Sequence, residues 1–202
     1  KLDYHDVIKH DFKGMAKVIW NTFFPDYGKD VIDELVERSY SNKFSNKKIT
    51  PITGVGNGFV LELYYGPTAA FKDIALSALP NLLTKAREMN SFTDEILILT
   101  ATSGDTGSAA LHGFSDVPGT SIIVFYPDGG VSETQRLQMV TASGANACAC
   151  AIKGNFDDAQ SGVKKLFNDI PKPAKGVALS SANSINIGRL VPQIVYYFSA
   201  YK

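Results

Sequence analysis

Apolar residues recur at spacings of three and four along two early stretches. Met15, Val18, Ile19 and Phe23 mark a helix over residues 11–24, which Pro25 ends. Val31, Ile32, Leu35 and Val36 mark a second helix over 28–42. Residues 41–57 are polar and glycine-bearing and read as a loop. Residues 59–64 are strand-like. After residues 66–73 the helical spacing returns with Ile74, Ala75, Ala78, Leu79, Leu82, Leu83 and Ala86. That register runs on across Pro80, so one kinked helix is expected there rather than two.

From residue 96 onward the pattern changes. Ile96 to Leu99 is a short, fully apolar run of the kind found in buried parallel strands. Further strands are expected at 120–126, 145–152 and 176–179. Between them lie helical patterns. One opens at Ser108, and one is opened by a capping box of Ser132 and Gln135 and runs to Val140. Another is carried by Phe156, Ala159, Val163, Leu166 and Phe167, with Asp157 and Asp158 in its first turn. A last helical run reaches Tyr201, and Pro192 leaves open whether it starts near Ile187 or at the proline itself. Strand–helix alternation from 96 to 181 is the mark of right-handed βαβ crossovers. The expected fold is therefore α/β, a parallel sheet with flanking helices, onto which the helical first sixty residues pack as an extension.

Composition narrows the class. The 202 residues carry 20 basic and 20 acidic side chains, for no net charge. Such a balance gives no electrostatic footprint for nucleic acid or an anionic membrane surface. The longest apolar runs are far shorter than a membrane span. No secretory signal pattern is readable, and the chain opens on Lys1, so its native start is expected upstream. Cys148 and Cys150 stand two apart in an expected strand and read as free, buried thiols in a reducing compartment. His5, His10 and His112 have no partners at metal-ligand spacing, and no metal is expected.

Three stretches carry candidate chemistry. Lys72 lies in Gly66-Pro67-Thr68-Ala69-Ala70-Phe71-Lys72-Asp73, between a strand and a helix. First-turn N–H groups and small apolar neighbours disfavour a cation there and favour a free amine, which suits Schiff-base chemistry. A surface lysine paired with Asp73 is the alternative, and these eight residues alone do not decide. The loop Thr100-Ala101-Thr102-Ser103-Gly104-Asp105-Thr106-Gly107 follows a strand and opens a helix. It holds more hydroxyls than capping requires, and reads as an anion-binding loop. In Ser180 to Arg189, Asn183 offers an amide donor and Arg189 a planar fork that would grip a phosphate. A polar loop with Arg189 paired to a surface acid is the plain alternative. The run Gly54 to Gly58 precedes a strand, so it is not a dinucleotide fingerprint.

Residues 66–73, 101–107, 132–135 and 183–189 occur in the order and context of the threonine synthases. The chain resembles that family, which belongs to the tryptophan-synthase-β, or fold type II, group of pyridoxal-phosphate enzymes. The resemblance implies that Lys72 is the catalytic residue and the cofactor's attachment point. It implies that Ser103 and Thr106 bind substrate, that Asp105 faces the cofactor, and that Asn183 and Arg189 hold the substrate phosphate. The implied cofactor is pyridoxal 5'-phosphate. The implied reaction converts O-phospho-L-homoserine and water to L-threonine and phosphate in the cytoplasm. By the same resemblance, residues 1–65 would be the helical extension with the first strand of the cofactor domain. Residues 66–202 would be the smaller α/β domain with the lysine and substrate loops. The family's cofactor-phosphate loop lies further on than Lys202, so the chain is expected to be a fragment that is inactive alone. The sequence fixes no oligomeric state. Two other functions fit the lysine and the glycine loop: another fold type II enzyme, such as a threonine dehydratase or cysteine synthase, or a shortened relative without catalysis.

Overall fold

A computed structural model describes residues 2–170 and 174–202. The chain divides into two compact units, Lys1–Leu82 with Ile187–Lys202, and Leu83–Asn186. The spans 1–65 and 66–202 expected above concern the domains of a whole enzyme. The units found here are set by packing, because the last helix buries its apolar face on helices of the first unit.

In the first unit, helix α1 is Tyr4–Val7, α2 is Phe12–Phe23 and α3 is Lys29–Tyr40. Asp11 caps α2, accepting a hydrogen bond from Gly14 N–H at 2.8 Å. Met15, Ile19 and Trp20 of α2 meet Ile32, Leu35 and Val36 of α3 in one buried cluster. Each such side chain contributes about 1.5–3 kcal/mol on burial. Phe12 and Trp20 both pack edge-on against Tyr40, with centroids 5.2 and 5.8 Å away. On the flank of this contact Lys13, then Lys17, hydrogen-bond Glu37 and pull its carboxyl down to about 2.

Strands β1 (Ile52–Val55) and β2 (Gly58–Leu61) form an antiparallel hairpin. The stretch containing β1 was expected to be loop. Its residues are all exposed, so they carry no alternation that a core would impose, and the turn supplies the order instead. Gly56, at φ +58, is the first central residue of that two-residue turn, a position that favours glycine.

The helix expected as a single kinked rod after Lys72 is two helices, α4 (Asp73–Leu76) and α5 (Leu79–Met89). Pro80 has no N–H for the Leu76 carbonyl and its ring crowds that oxygen, so the ladder stops. As the second residue of α5, Pro80 sits where a missing donor costs little. Two hydroxyls fasten this segment to α3 and to the turn before it: Tyr40 Oη of α3 donates to Ile74 O at 3.1 Å, and Tyr27 Oη, in the turn Pro25–Tyr27, to Leu82 O at 2.9 Å. Helix α9 runs Ile187–Tyr201 with Pro192 inside it, so it starts near Ile187. It packs on α2 and α4 through Val191, Val195 and Tyr196.

The second unit is a parallel sheet in the order β5-β4-β3-β6. Its strands are β3 (Glu95–Ala101), β4 (Thr120–Pro127), β5 (Ala147–Ile152) and β6 (Val177–Ser180). Helices α6 (Asp105–Phe114) and α7 (Glu133–Val140) link the strands that step outward from β3 to β5. Helix α8 (Phe156–Asp169) carries the chain back across to β6. Because the step reverses, right-handed crossover sends α8 to the other face. The packing agrees: α6 lies on β4 and β5, whereas α8 lies on β3 and β4. The alternating, mostly buried β4 fits a strand covered on both sides.

The two cysteines correct an expectation. Cys148 is exposed and Cys150 half-buried. Both lie on β5, the edge strand, opposite Ile123 and Phe125 of β4, and so share the α8 face. α8 covers β3 and β4 on that face, leaving the cysteines open.

Gly162 stands in the interior of α8, and a Cβ there would meet nothing within 4 Å. Gly162→Ala is therefore expected to stabilise the chain by about 0.5–1 kcal/mol, read as a higher urea midpoint at unchanged slope.

Candidate functional site

The two units hold different parts of the predicted residue set. Lys72 and Arg189 belong to the first, and Ser103, Asp105, Thr106 and Asn183 to the second.

In the first unit, the loop before α4 is built around one carboxylate. Asp73 is 2% exposed. Its Oδ2 accepts from Thr68 N–H at 2.9 Å and Ala70 N–H at 3.3 Å, and its Oδ1 accepts from the Thr68 hydroxyl at 2.6 Å. Gly66 closes the turn; a Cβ there would lie 2.4 Å from Asp73 Cβ. Ala69, at φ +55, occupies the left-handed region that L-residues other than Asn and Asp seldom enter. Charge-assisted hydrogen bonds are the strong kind, and these hold a strained turn in one shape. The turn delivers Lys72 as the N-cap of α4, half-buried, with Nζ 4.5 Å from the Phe71 ring centroid.

Arg189 is the third residue of α9, which packs on α4. Both basic side chains thus stand at the N-terminal ends of two contacting helices. Arg189 is 4% exposed. Burial pushes its guanidinium pKa down, with the Tyr196 phenol acting the other way. A guanidinium held out of water interacts strongly with an anion brought beside it.

In the second unit the sheet itself makes a place for ligand. From β3 the chain winds one way, to β4, while β6 lies on the other side of β3. Loops after neighbouring strands that part in this way leave a crevice at their C-terminal ends, where open α/β sheets bind ligands. The two loops bordering that crevice are 102–104 after β3 and 181–186 after β6, and they carry the predicted residues.

Thr102 is 1% exposed and its Oγ1 accepts from Gly104 N–H and Gly107 N–H, both at 2.9 Å. It is therefore the internal brace of the loop. Ser103 is exposed and Thr106 half-buried. Gly104 has φ +138, and a Cβ on it would lie 2.3 Å from the Gln135 side chain. A Cβ on Gly107 would press on Thr102 and Val124, at 2.5 and 2.7 Å. Asp105 Oδ1 accepts from Gln135 Nε2 at 2.7 Å. The same Gln135 closes the α7 capping box with its Oε1. Sequence reading found the box but not this second duty. The available signal was that Oε1 alone closes the box, which leaves the amide N–H groups for another partner.

On the other loop, Asn183 Oδ1 accepts from Ile185 N–H at 3.1 Å, so its amide nitrogen is the group it can offer a ligand. Asn186 Nδ2 donates to Ser181 O at 2.9 Å and pins the loop. Among the described residues no group of three or more His, Cys, Asp or Glu is gathered to hold a metal. No helix is long and apolar enough to cross a membrane.

No protein-family model matches the chain. Solved structures do. The chain aligns over 100% of its length with a PLP-bound threonine synthase from Brucella melitensis, at TM-score 0.88 and 33% identity, covering 44% of that chain. Threonine synthase from yeast gives TM-score 0.86 and 32% identity, covering 42% of that chain. The parallel sheet with its flanking helices is thus that of a fold type II α/β protein. Curated relatives narrow the class. Threonine synthase from Pseudomonas aeruginosa is 44% identical over 168 residues, which is 83% of this chain and 35% of the relative. Threonine synthase-like 1 from Homo sapiens is 40% identical over 181 residues, 84% of this chain and 24% of the relative. The chain is similar to threonine synthases and threonine synthase-like proteins of that fold, and spans from about a quarter to about a third of these relatives.

Proposed function

We propose that the chain is part of a pyridoxal-phosphate enzyme, a lyase that turns O-phospho-L-homoserine and water into L-threonine and phosphate in the cytoplasm. The observation that carries this reading is the turn at residues 66–73, which presents a lysine at a helix N-cap in a chain that aligns along its whole length with a PLP-bound threonine synthase.

The donor set fits the cofactor at its aldehyde end. Lys72 supplies the amine to which it would be attached. Asp105, held by Gln135, supplies an acceptor for a ring-edge donor. When bound, the group supplies a ring that stores the negative charge developing at the substrate α-carbon. The chain's own residues do the rest. Lys72 Nζ would serve as the base that takes the substrate α-proton and carries it onward. Ser103 and Thr106 offer hydroxyls for the substrate carboxylate, near the N–H groups that open α6. Asn183 donates its amide to the substrate phosphate, and Arg189 sets its guanidinium against the same charge as it departs. The buried guanidinium favours a phosphorylated substrate over the uncharged side chains of serine or threonine.

Incubating the full-length protein with O-phosphohomoserine, serine or threonine in turn separates the readings. Phosphate release with threonine formed supports this one. Keto acid from serine or threonine would mean a dehydratase, and no turnover with any of them would mean a non-catalytic relative.

Arg189→Ala should lower kcat/KM for O-phosphohomoserine by roughly tenfold to a hundredfold, the loss of a hydrogen bond to a charged group. Arg189→Lys should recover only part, because the fork is gone. Equal loss on an analogue lacking the phosphate would assign Arg189 a structural role instead.

A further inference from the structure

We propose that Cys148 and Cys150 form a two-thiolate site for a soft, two-coordinate monovalent cation of the Cu(I) type. The site lies on the open face of β5 in the second unit, apart from the loops described above.

The placement follows from the fold. The cysteines are two residues apart on a strand, so their side chains share a face. That face of β5 is left open by α8, and Cys148 is exposed. Beside it runs an apolar cavity of about 290 Å³, lined by Phe125 and Ile152 of the sheet and Val163 and Leu166 of α8.

Strand geometry decides what the pair can hold. Two residues of strand advance the chain by about 6.6 Å. Disulfides have Cα atoms most often about 5.5–6 Å apart and Cβ atoms about 3.8 Å apart, so this pair resists direct oxidation. A bridging ion spans more. Two metal–sulfur bonds of about 2.3 Å in near-linear array separate the sulfurs by roughly 4.5 Å, against about 2 Å in a disulfide. Ligand number then selects the ion. Zinc takes four ligands, and among the described residues no third His, Cys, Asp or Glu joins the pair. Soft thiolates favour Cu(I), which accepts two. On binding, each thiol loses its proton to solvent and two S–Cu bonds form; copper enters and stays as Cu(I), so nothing is oxidised or reduced.

The test is a titration of the reduced, full-length protein with Cu(I) under anaerobic conditions, against a coloured Cu(I) chelator. Wild type should withdraw one equivalent that depends on this pair. Cys148→Ser and Cys150→Ser should each lose it, weakening binding at least about tenfold, with circular dichroism unchanged because one position is exposed and the other half-buried. Affinity should fall with falling pH as two protons compete for the sulfurs. Wild-type affinity in either single variant, or an equivalent that survives in the double variant, would overturn the proposal.

Discussion

Lys72→Ala in the full-length protein is expected to cut turnover of O-phosphohomoserine by roughly 10²–10⁴-fold or more, the range for losing a positioned proton-transfer group. Stability should change little. Lys72 is a half-buried N-cap side chain whose contact with the Phe71 ring, at 4.5 Å, is worth about 0.5–1 kcal/mol. Lys72→Arg makes the test sharper. Arginine retains a basic side chain long enough to reach the Phe71 ring but cannot give up its proton to become a base. The arginine variant should therefore be as inactive as alanine and as stable as wild type. Phosphate release and thermal unfolding, measured side by side, check both halves. Near wild-type phosphate release by the alanine variant would remove Lys72 from the chemistry.

The elements that were legible in the sequence are those whose signal is local. Helices α2 and α3 announced themselves by spacing, because their apolar positions face one core. The strands β3 and β4 did so by apolar runs, being covered on both faces. The capping box of Ser132 and Gln135 was readable because both partners lie within one turn. What escaped depends on distant parts of the chain. The exposure of Cys148 is decided by where α8 crosses the sheet, which no property of residues 147–152 encodes. The break between α4 and α5 was hidden because buried Ala78 and Leu79 keep the apolar register that a continuous helix would show. The bond from Gln135 to Asp105 joins residues 30 apart, through a contact between α6 and α7 that only the folded unit creates. In the sequence Asp73 figures only as the partner of a surface lysine, the alternative left open for Lys72. Its bonds to the turn behind it became visible only with the backbone path of 66–72.

That turn makes Asp73 the second position of large effect. Asp73→Ala removes a carboxylate that receives hydrogen bonds from the Thr68 and Ala70 N–H groups and from the Thr68 hydroxyl. A cost of about 2–4 kcal/mol is expected, less than the sum of these charged bonds because water can reach the partly exposed loop. The strain at Ala69 then works against the native turn instead of being held in it. Activity should suffer beyond stability. Lys72 is delivered by this turn, and a misplacement of about 1 Å at a reacting group can cost roughly 10²-fold in rate. Asp73→Asn separates positioning from charge. One amide oxygen can still accept from Thr68 N–H and Ala70 N–H, and the amide nitrogen can donate to Thr68 Oγ1. Asparagine should thus recover more than half of the lost stability and most of the lost rate. A kcat that stays low in the asparagine variant, with the melting temperature restored, would show that the carboxylate charge acts in the reaction itself. A kcat unchanged in the alanine variant would mean that the turn does not position Lys72 at all.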